Sequence, residues 1–142
     1  MKTSLLFLFL FNIFGMQLPG ELKVIIENID PVEGKLYVGI YDHSEKYNFV
    51  YGESAVYSQV VTVEASTQTI VFKDVPDGEF AITVFQDLNG NGKLDLRKGG
   101  IPTEPYGFSN NMNEHTGPPT YDRSKFYFTG NMEMKIELQC NE

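Results

Sequence analysis

Most of this chain consists of short segments in which apolar and polar residues alternate. The clearest segment lies near the C-terminus, where Met132, Met134, Ile136, Leu138 and Cys140 alternate with charged or amide residues. A period of two places successive side chains on opposite faces of a β-strand, so such a segment has one face for a core and one for solvent. Because no segment shows a convincing helical period, the alternation predicts an all-β chain.

Seven such segments are separated by turn signals such as Pro76-Asp77-Gly78, in which Pro fixes φ and Gly allows a positive φ. Two antiparallel sheets packed face to face bury many one-sided strands economically. The pattern therefore predicts a single antiparallel β-sandwich of about seven strands, with a small closed barrel as the alternative. The predicted strands are 21–30, 35–42, 55–64, 67–75, 79–87, 125–129 and 132–140.

Residues 88–122 interrupt this rhythm, being rich in Gly, Pro and Asn. A loop of this length in a small domain is usually functional or disordered. Apolar and aromatic residues within it indicate one long ordered loop, and a second irregular segment, 41–54, is expected to pack beside it. The residues behind these two expectations are Ile101, Tyr106, Phe108 and Tyr121 in the first, and Tyr47, Phe49 and Tyr51 in the second.

The N-terminus has the form of an export signal, with Lys2 ahead of an apolar run that ends near Phe14. This run is short for a membrane span, which needs about 20 apolar residues. We therefore predict a secretory signal peptide over 1–20, cleaved between Gly15 and Gly20, and a domain over 21–142 that is secreted or periplasmic. An uncleaved anchor remains the alternative. Cys140 is the only cysteine, so an internal disulfide is excluded.

The formal net charge of −8 restricts the partners of this chain. An acidic domain repels phosphate backbones and anionic lipid headgroups and attracts cations. We therefore expect no nucleic-acid partner and no stable membrane insertion after signal cleavage. The expected partner is an extracellular ligand, either a carbohydrate or a protein.

The stretch that follows the predicted strand 79–87 has the donor spacing of a calcium loop. Side-chain oxygens fall at positions one, three, five and nine, and Gly92 at position six permits a sharp turn. Hard oxygen donors suit calcium better than zinc, which favours His or Cys. The predicted ligands are the side chains of Asp87, Asn89, Asn91 and Asp95 and the main-chain carbonyl of Lys93.

Position twelve of a complete calcium loop is a bidentate Glu, and here it is Lys98. We expect Glu104 to substitute for it and water to complete the coordination of a weakly bound Ca²⁺. The alternative needs no ion, because Asn-Gly-Asn-Gly forms tight turns when side-chain oxygens accept bonds from nearby backbone amides.

The 100–111 stretch places aromatic rings beside amide groups, which could stack on and hydrogen-bond a sugar or a peptide. The candidate ligand-binding residues are Tyr106, Phe108 and Asn110. In the alternative, which the composition favours, the loop packs on itself and the two rings form a satellite core.

The sequence contains no strong candidate for a set of catalytic residues. The best is His115 beside Glu114 with Ser109 nearby, and polar loops produce such neighbours by chance. We therefore predict a non-enzymatic, calcium-stabilised binding or structural module. A small extracellular hydrolase using the 104–122 loop and a carbohydrate- or peptide-binding module without metal are the alternatives.

Two stretches, FQDLNGNGKLD at 85–95 and GIPTEPYGFSNN at 100–111, resemble the signature of the secreted bacterial domain-of-unknown-function family 2141. The resemblance implies a single exported domain, and it transfers no catalytic residue because that family has no established activity. The stretch VPDGEFAI at 75–82 is also similar to a hairpin of prealbumin-like and carboxypeptidase regulatory-like sandwiches. That similarity concerns the fold alone.

Overall fold

The computed structural model, which describes residues 19–112 and 119–140, contains ten β-strands. They are β1 (Gly20–Glu27), β2 (Lys35–Tyr41), β3 (Tyr57–Thr62), β4 (Gln68–Val75), β5 (Gly78–Asp87), β6 (Leu96–Arg97), β7 (Ile101–Pro102), β8 (Tyr106–Phe108), β9 (Phe126–Phe128) and β10 (Met132–Glu137). Three 3₁₀ turns, at His43–Glu45, Phe49–Tyr51 and Ser109–Asn111, and the helix α1 (Tyr121–Ser124) complete the elements. None of the helices within the described residues has the length and apolar character that crossing a membrane requires. The predicted signal peptide falls almost wholly outside these residues.

Two sheets pack against each other. Sheet I has the order β10-β1-β4, with β10 parallel and β4 antiparallel to the central β1. Sheet II has the order β3-β2-β5-β8 and is antiparallel throughout, and β9 pairs with the start of β5. The predicted all-β sandwich is confirmed, and all seven predicted strands are present. Most of them are shorter than predicted, although β1 and β5 each begin one residue earlier. The pair β1–β10 is parallel.

The stretch 88–122, predicted as one long ordered loop, contains three further strands. The strands β6 and β7 form a small hairpin, and β8 joins the edge of sheet II against β5. Strands of two or three residues are too short to show alternation, which explains why the sequence pattern did not mark them.

The main core lies between the two sheets and follows the predicted alternation. Leu22, Val24 and Ile26 of β1 are all fully buried, and their charged or half-buried neighbours face outward. Because one face of each strand is apolar, the packing of sheet I on sheet II removes these side chains from water. The other large side chains of this core include Leu36, Val38, Ile40, Ile82, Val84, Phe128 and Ile136.

A second apolar cluster covers the outward face of sheet II, and we call it the outer cluster. It exists because β5 is apolar on both faces: every residue from Phe80 to Asp87 is buried. A two-faced strand must be covered on its second side, here by the 43–55 segment and by residues after β8. The members of the outer cluster are Tyr41, Phe49, Ala81, Phe85, Tyr106, Phe108 and Tyr121.

The outer cluster includes part of the irregular 41–54 segment. Tyr41, at its start, is fully buried. In the irregular 41–54 segment Phe49 is fully buried, whereas Tyr47 and Tyr51 remain 79% and 64% exposed. The segment therefore packs beside the long loop through Phe49, whose ring lies 5.5 Å from that of Phe108.

Tyr121 gives the outer cluster a measurable pH dependence. Burial, with smaller contributions from the charges of Glu79, Asp42 and Asp122, raises the pKa of its phenol from 10.0 to about 12. The unfolded chain loses this proton near its ordinary pKa and the folded chain does not, so the stabilisation is complete below pH 10 and is lost as the pH rises through about 12. We expect the free energy of unfolding to fall over this range by on the order of 1 kcal/mol more in the wild type than in Tyr121→Phe.

Urea denaturation at several alkaline pH values would measure this difference. Tyr121→Phe also loses the hydrogen bond from the hydroxyl to the Glu79 carbonyl, 3.1 Å long, which lowers stability equally at every pH below the titration. Tyr47→Phe, at an exposed position, is the matched control and should follow the wild type. A difference between the wild type and Tyr121→Phe that stays constant with pH would contradict the prediction.

The two sheets are also joined along one side of the sandwich. After β10, the backbone of Gln139 exchanges two hydrogen bonds with Tyr106 of sheet II, 2.9 and 2.8 Å long. Gly107 lies against this junction, where an added β-carbon would come within 2.7 Å of Ile136 Cγ2. The C-terminal segment therefore connects sheet I to sheet II directly.

Candidate calcium site

The predicted calcium loop begins at the last residue of β5. Asp87 is only 2% exposed, and its carboxylate faces back into the loop that follows. Its Oδ1 accepts a hydrogen bond from the Gly90 amide at 2.7 Å, and its Oδ2 accepts one from the Gly92 amide at 2.9 Å. Both glycines have positive φ values, 78° and 75°, which L-residues adopt at a cost. The chain thus curls around the Asp87 carboxylate.

The next two donors repeat one local arrangement. The side-chain oxygens of Asn89 and Asn91 each accept the backbone N–H two residues later, at 3.0 and 2.9 Å. Each side-chain amide also donates to Oδ2 of Asp95, Asn91 at 2.8 Å. The structure therefore brings together the predicted side chains at positions three, five and nine. Two amide N–H groups compensate the charge of Asp95, a role that a bound cation would take over.

Glu104 reaches the loop from the bend between β7 and β8. It is 4% exposed, and its two oxygens accept the backbone N–H groups of Leu88, at 3.0 Å, and Asp95, at 3.2 Å. The carboxylate thus clamps the two ends of the loop together. Lys98, at position twelve, lies exposed in the turn between β6 and β7. Glu104, six positions further along the chain, therefore contacts the loop where Lys98 does not.

Two residues that the sequence analysis missed also support the loop. Thr103 bonds the Asp95 carbonyl through both its N–H, at 2.9 Å, and its hydroxyl, at 3.1 Å. Gly34 lies beneath Asp87, where a β-carbon would come within 2.3 Å of the Asp87 carbonyl oxygen. Gly34 is 53 positions away in the chain, and no local pattern could have indicated this contact.

The buried carboxylates of the loop form no ion pair with another described residue. Asp87 and Glu104 are buried carboxylates, and the ion pairs between described residues involve neither them nor Asp95. Buried charges are costly unless they are paired or hydrogen-bonded, and here backbone amides supply the compensation. Within residues 19–112 and 119–140, no three His, Cys, Asp or Glu side chains are grouped so as to hold a metal by themselves.

The predicted donors are all oxygens, as calcium requires, but they need water to complete the coordination shell. Two carboxylates, two amides and the Lys93 carbonyl provide five oxygen donors, whereas Ca²⁺ takes about six to eight, with water often among them. A cation here would depend on the amide and main-chain oxygens and on solvent. Such a set excludes the tetrahedral nitrogen and sulfur coordination that zinc prefers.

The family comparison matches the region that contains this loop. The model of an uncharacterised protein family conserved in bacteria, DUF2141, matches residues 24–137. The chain belongs to this family. For this DUF2141 member, comparisons with curated proteins and with solved structures each gave no match.

The residues predicted to bind a ligand in this DUF2141 chain lie largely inside it. Tyr106 and Phe108 are 6% and 5% exposed and belong to the outer cluster. The strand β8 pairs with β5, and these two rings lie on the same outward face of sheet II as Ala81 and Phe85. Their rings are covered by the chain's own side chains and are not open to a ligand. Asn110 is exposed, and its side-chain amide donates to the carbonyls of Arg123, at 3.3 Å, and Lys125, at 3.1 Å.

Ser109, the nucleophile considered for a hydrolase, is fully buried. Its hydroxyl accepts the Ile82 N–H at 2.9 Å and donates to the Ser124 carbonyl at 2.6 Å. Both capacities are therefore engaged in holding β5 against the helix α1. His115 and Glu114 lie outside the described residues.

Proposed function

We propose that this DUF2141 protein is an exported, non-enzymatic binding or structural module whose folded state is stabilised by calcium in the 87–95 loop. The observation that supports it is the convergence of Asn89 and Asn91 on the Asp95 carboxylate, beside the buried Asp87. The two Asn oxygens accept nearby backbone amides, as a turn without an ion requires. Such a turn does not require a carboxylate where the two side-chain amides meet. Asp95 at that point is the feature that favours a cation.

The proposed role of calcium is structural. The loop carries few carboxylates, so its affinity belongs to the weak range of extracellular modules, with Kd on the order of 10⁻⁴ M. At about 1 mM free calcium, mass action then adds roughly 1.4 kcal/mol to the free energy of unfolding. Outside a cell, where calcium is abundant, this effect would order the loop and the hairpin β6–β7 beside it.

A thermal melt tests this proposal. The wild type should have a Tm about 3–6 °C higher in millimolar calcium than in chelator. Magnesium, which demands octahedral geometry, should give a smaller rise. In Asp87→Ala the Tm should be lower throughout, and calcium and chelator should give the same value.

A milder pair of variants separates ion binding from loop folding. Asp95→Asn keeps a side-chain oxygen to accept the two amide bonds but removes the negative charge, so it should abolish the calcium response with little loss of Tm in chelator. Asp74→Asn, on the exposed side of β4, changes the net charge equally and should retain the full response. If the wild-type melts in calcium, magnesium and chelator coincide at millimolar ion, the calcium site does not exist.

A further inference from the structure

The outer cluster covers only part of the outward face of sheet II, and the remainder forms a groove. This groove has a volume of about 660 Å³, within the range of roughly 300–1,000 Å³ that small-molecule sites occupy. Its floor is the outward face of β2 and β3, where Gly39 pairs with Ser58 and Tyr37 pairs with Val60.

Two loops form the walls of the groove. One wall is the 50–55 segment, which begins in the second 3₁₀ turn. The other wall is the far side of the proposed calcium loop, through Gly92, Lys93 and Leu94. The groove is thus a concave surface between two loops on a rigid sheet, an arrangement common to binding sites.

A buried hydroxyl without a partner faces the groove. The Tyr41 ring leans over Gly39, so that a β-carbon there would lie 2.9 Å from the Tyr41 oxygen, and one on Gly52 would lie 4.0 Å from it. No hydrogen bond of normal geometry reaches this oxygen in the described part of the chain. Burial raises the pKa of the Tyr41 phenol, and a hydrogen-bonding contact with the Thr83 side chain partly offsets this effect. That contact falls short of normal geometry, so the hydroxyl is poorly satisfied next to two residues that lack side chains.

The groove also carries aromatic and apolar surface. Tyr37 stacks on Phe85 with ring centroids 4.8 Å apart and planes within 8°, which fixes its ring in the floor. Tyr51 is 64% exposed on the wall, and Val60 and Leu96 are 51% and 45% exposed. Rigid aromatic faces at a concave surface are typical of ligand contacts.

The charges and hydroxyls of the groove select the class of ligand. The groove contains Glu53 and Lys93, one charge of each sign, and the chain has a net charge of −8, which disfavours anions. A wholly apolar ligand would cover the exposed Ser58 hydroxyl and leave the buried Tyr41 hydroxyl poorly satisfied, at a cost. A neutral ligand with hydroxyl groups and a C–H face meets both conditions.

We propose that this groove binds a neutral saccharide of one or two residues. Tyr51 and Tyr37 contact the C–H faces of its rings, and its hydroxyls bond Tyr41, Ser58 and Glu53. The site goes beyond the calcium proposal, because its floor belongs to sheet II and only one wall belongs to the 87–95 loop.

A protein-observed NMR titration of the full domain with neutral disaccharides tests this site. Maltose, cellobiose, lactose and N,N′-diacetylchitobiose serve as probes, with glucuronic acid as the charged comparison. At least one neutral probe should shift resonances of β2, β3 and the 50–55 segment, and glucuronic acid should not. If no neutral probe shifts these resonances at millimolar concentration, the proposal is wrong.

Three variants assign the contacts. Tyr51→Ala should weaken binding about tenfold, whereas Tyr47→Ala, on an even more exposed ring outside the groove, should leave the affinity unchanged. Tyr41→Phe should weaken binding severalfold with little change in Tm, since the lost hydroxyl makes no bond of normal geometry in the free protein. Equal effects of Tyr51→Ala and Tyr47→Ala would overturn the assignment.

Repeating the titration in chelator separates the two proposals. If calcium orders the wall formed by Gly92, Lys93 and Leu94, saccharide affinity should fall when calcium is removed. Binding that is unaffected by chelator would support the groove and show that calcium does not order this wall. A normal calcium response in the melts without saccharide binding would support the calcium proposal and contradict the saccharide site.

Discussion

Gly34→Ala should lower the free energy of unfolding by about 3 kcal/mol or more. Gly34 has a φ of +76°, and a β-carbon there would lie 2.3 Å from the Asp87 carbonyl oxygen and 3.2 Å from its carbon. Both obstacles are main-chain atoms, so the collision can be relieved only by moving the turn before β2 or the end of β5. Because Asp87 opens the proposed calcium loop, the stabilisation by calcium should shrink as well.

Gly90→Ala is the matched control for this prediction. Gly90 has a nearly identical φ of +78°, and an added β-carbon would meet nothing within 4 Å. Gly90→Ala should therefore lower the free energy of unfolding only through the strain of a left-handed backbone, by about 1 kcal/mol. Urea denaturation in calcium and in chelator would compare the two variants. Equal losses would show that strain alone acts at position 34.

Phe49→Ala should cost about 3–5 kcal/mol, as is usual when a buried aromatic side chain is removed. Phe49 is fully buried, and its ring makes edge contacts with Tyr41 at 5.5 Å and with Tyr121 at 6.2 Å. The loss would show that the outer cluster is a true second core and that the 43–55 segment belongs to the folded unit. The near-ultraviolet circular dichroism signal of the tyrosines should decrease, because their rings would be less rigidly packed.

Tyr51→Ala, two residues further along the same 3₁₀ turn, is the control for Phe49→Ala. Its ring is 64% exposed, so the expected loss of stability is below about 0.5 kcal/mol. A loss under about 1 kcal/mol for Phe49→Ala would mean that the segment does not close over sheet II. The pair also divides the two roles of this turn, because Phe49 supports the fold and Tyr51 is proposed to contact the ligand.

The sandwich could be predicted because alternation is a local property. Strands such as β1 and β10 show it in full, and each appears where the pattern placed it. The outer cluster could not be predicted in this way, because β5 is apolar on both faces and a continuous run does not say what covers its second side. The covering residues come from segments as distant as Phe49 and Tyr121, and their pairing is a tertiary property.

The candidate site, too, has features that local spacing predicts and features that it does not. Spacing along one short loop was enough to expect Asp87, Asn89, Asn91 and Asp95 near one another, and the contacts of both amides with Asp95 agree with it. The binding of calcium itself remains a prediction. The clamp by Glu104 and the groove beside the loop depend on how separate strands meet, which the spacing of residues within one segment does not contain.

The position of β1 has a consequence for the order of folding. This strand is the first of the described strands, yet it lies in the middle of its sheet, with the last strand, β10, paired in parallel along one edge over residues 22–27 and 132–137. Until residues 132–137 have been synthesised, that edge of β1 has no partner, and its backbone amides remain available to water or to another chain. Such distant pairing slows folding. A nascent chain of this kind would stay incompletely folded until β10 has emerged and paired with β1.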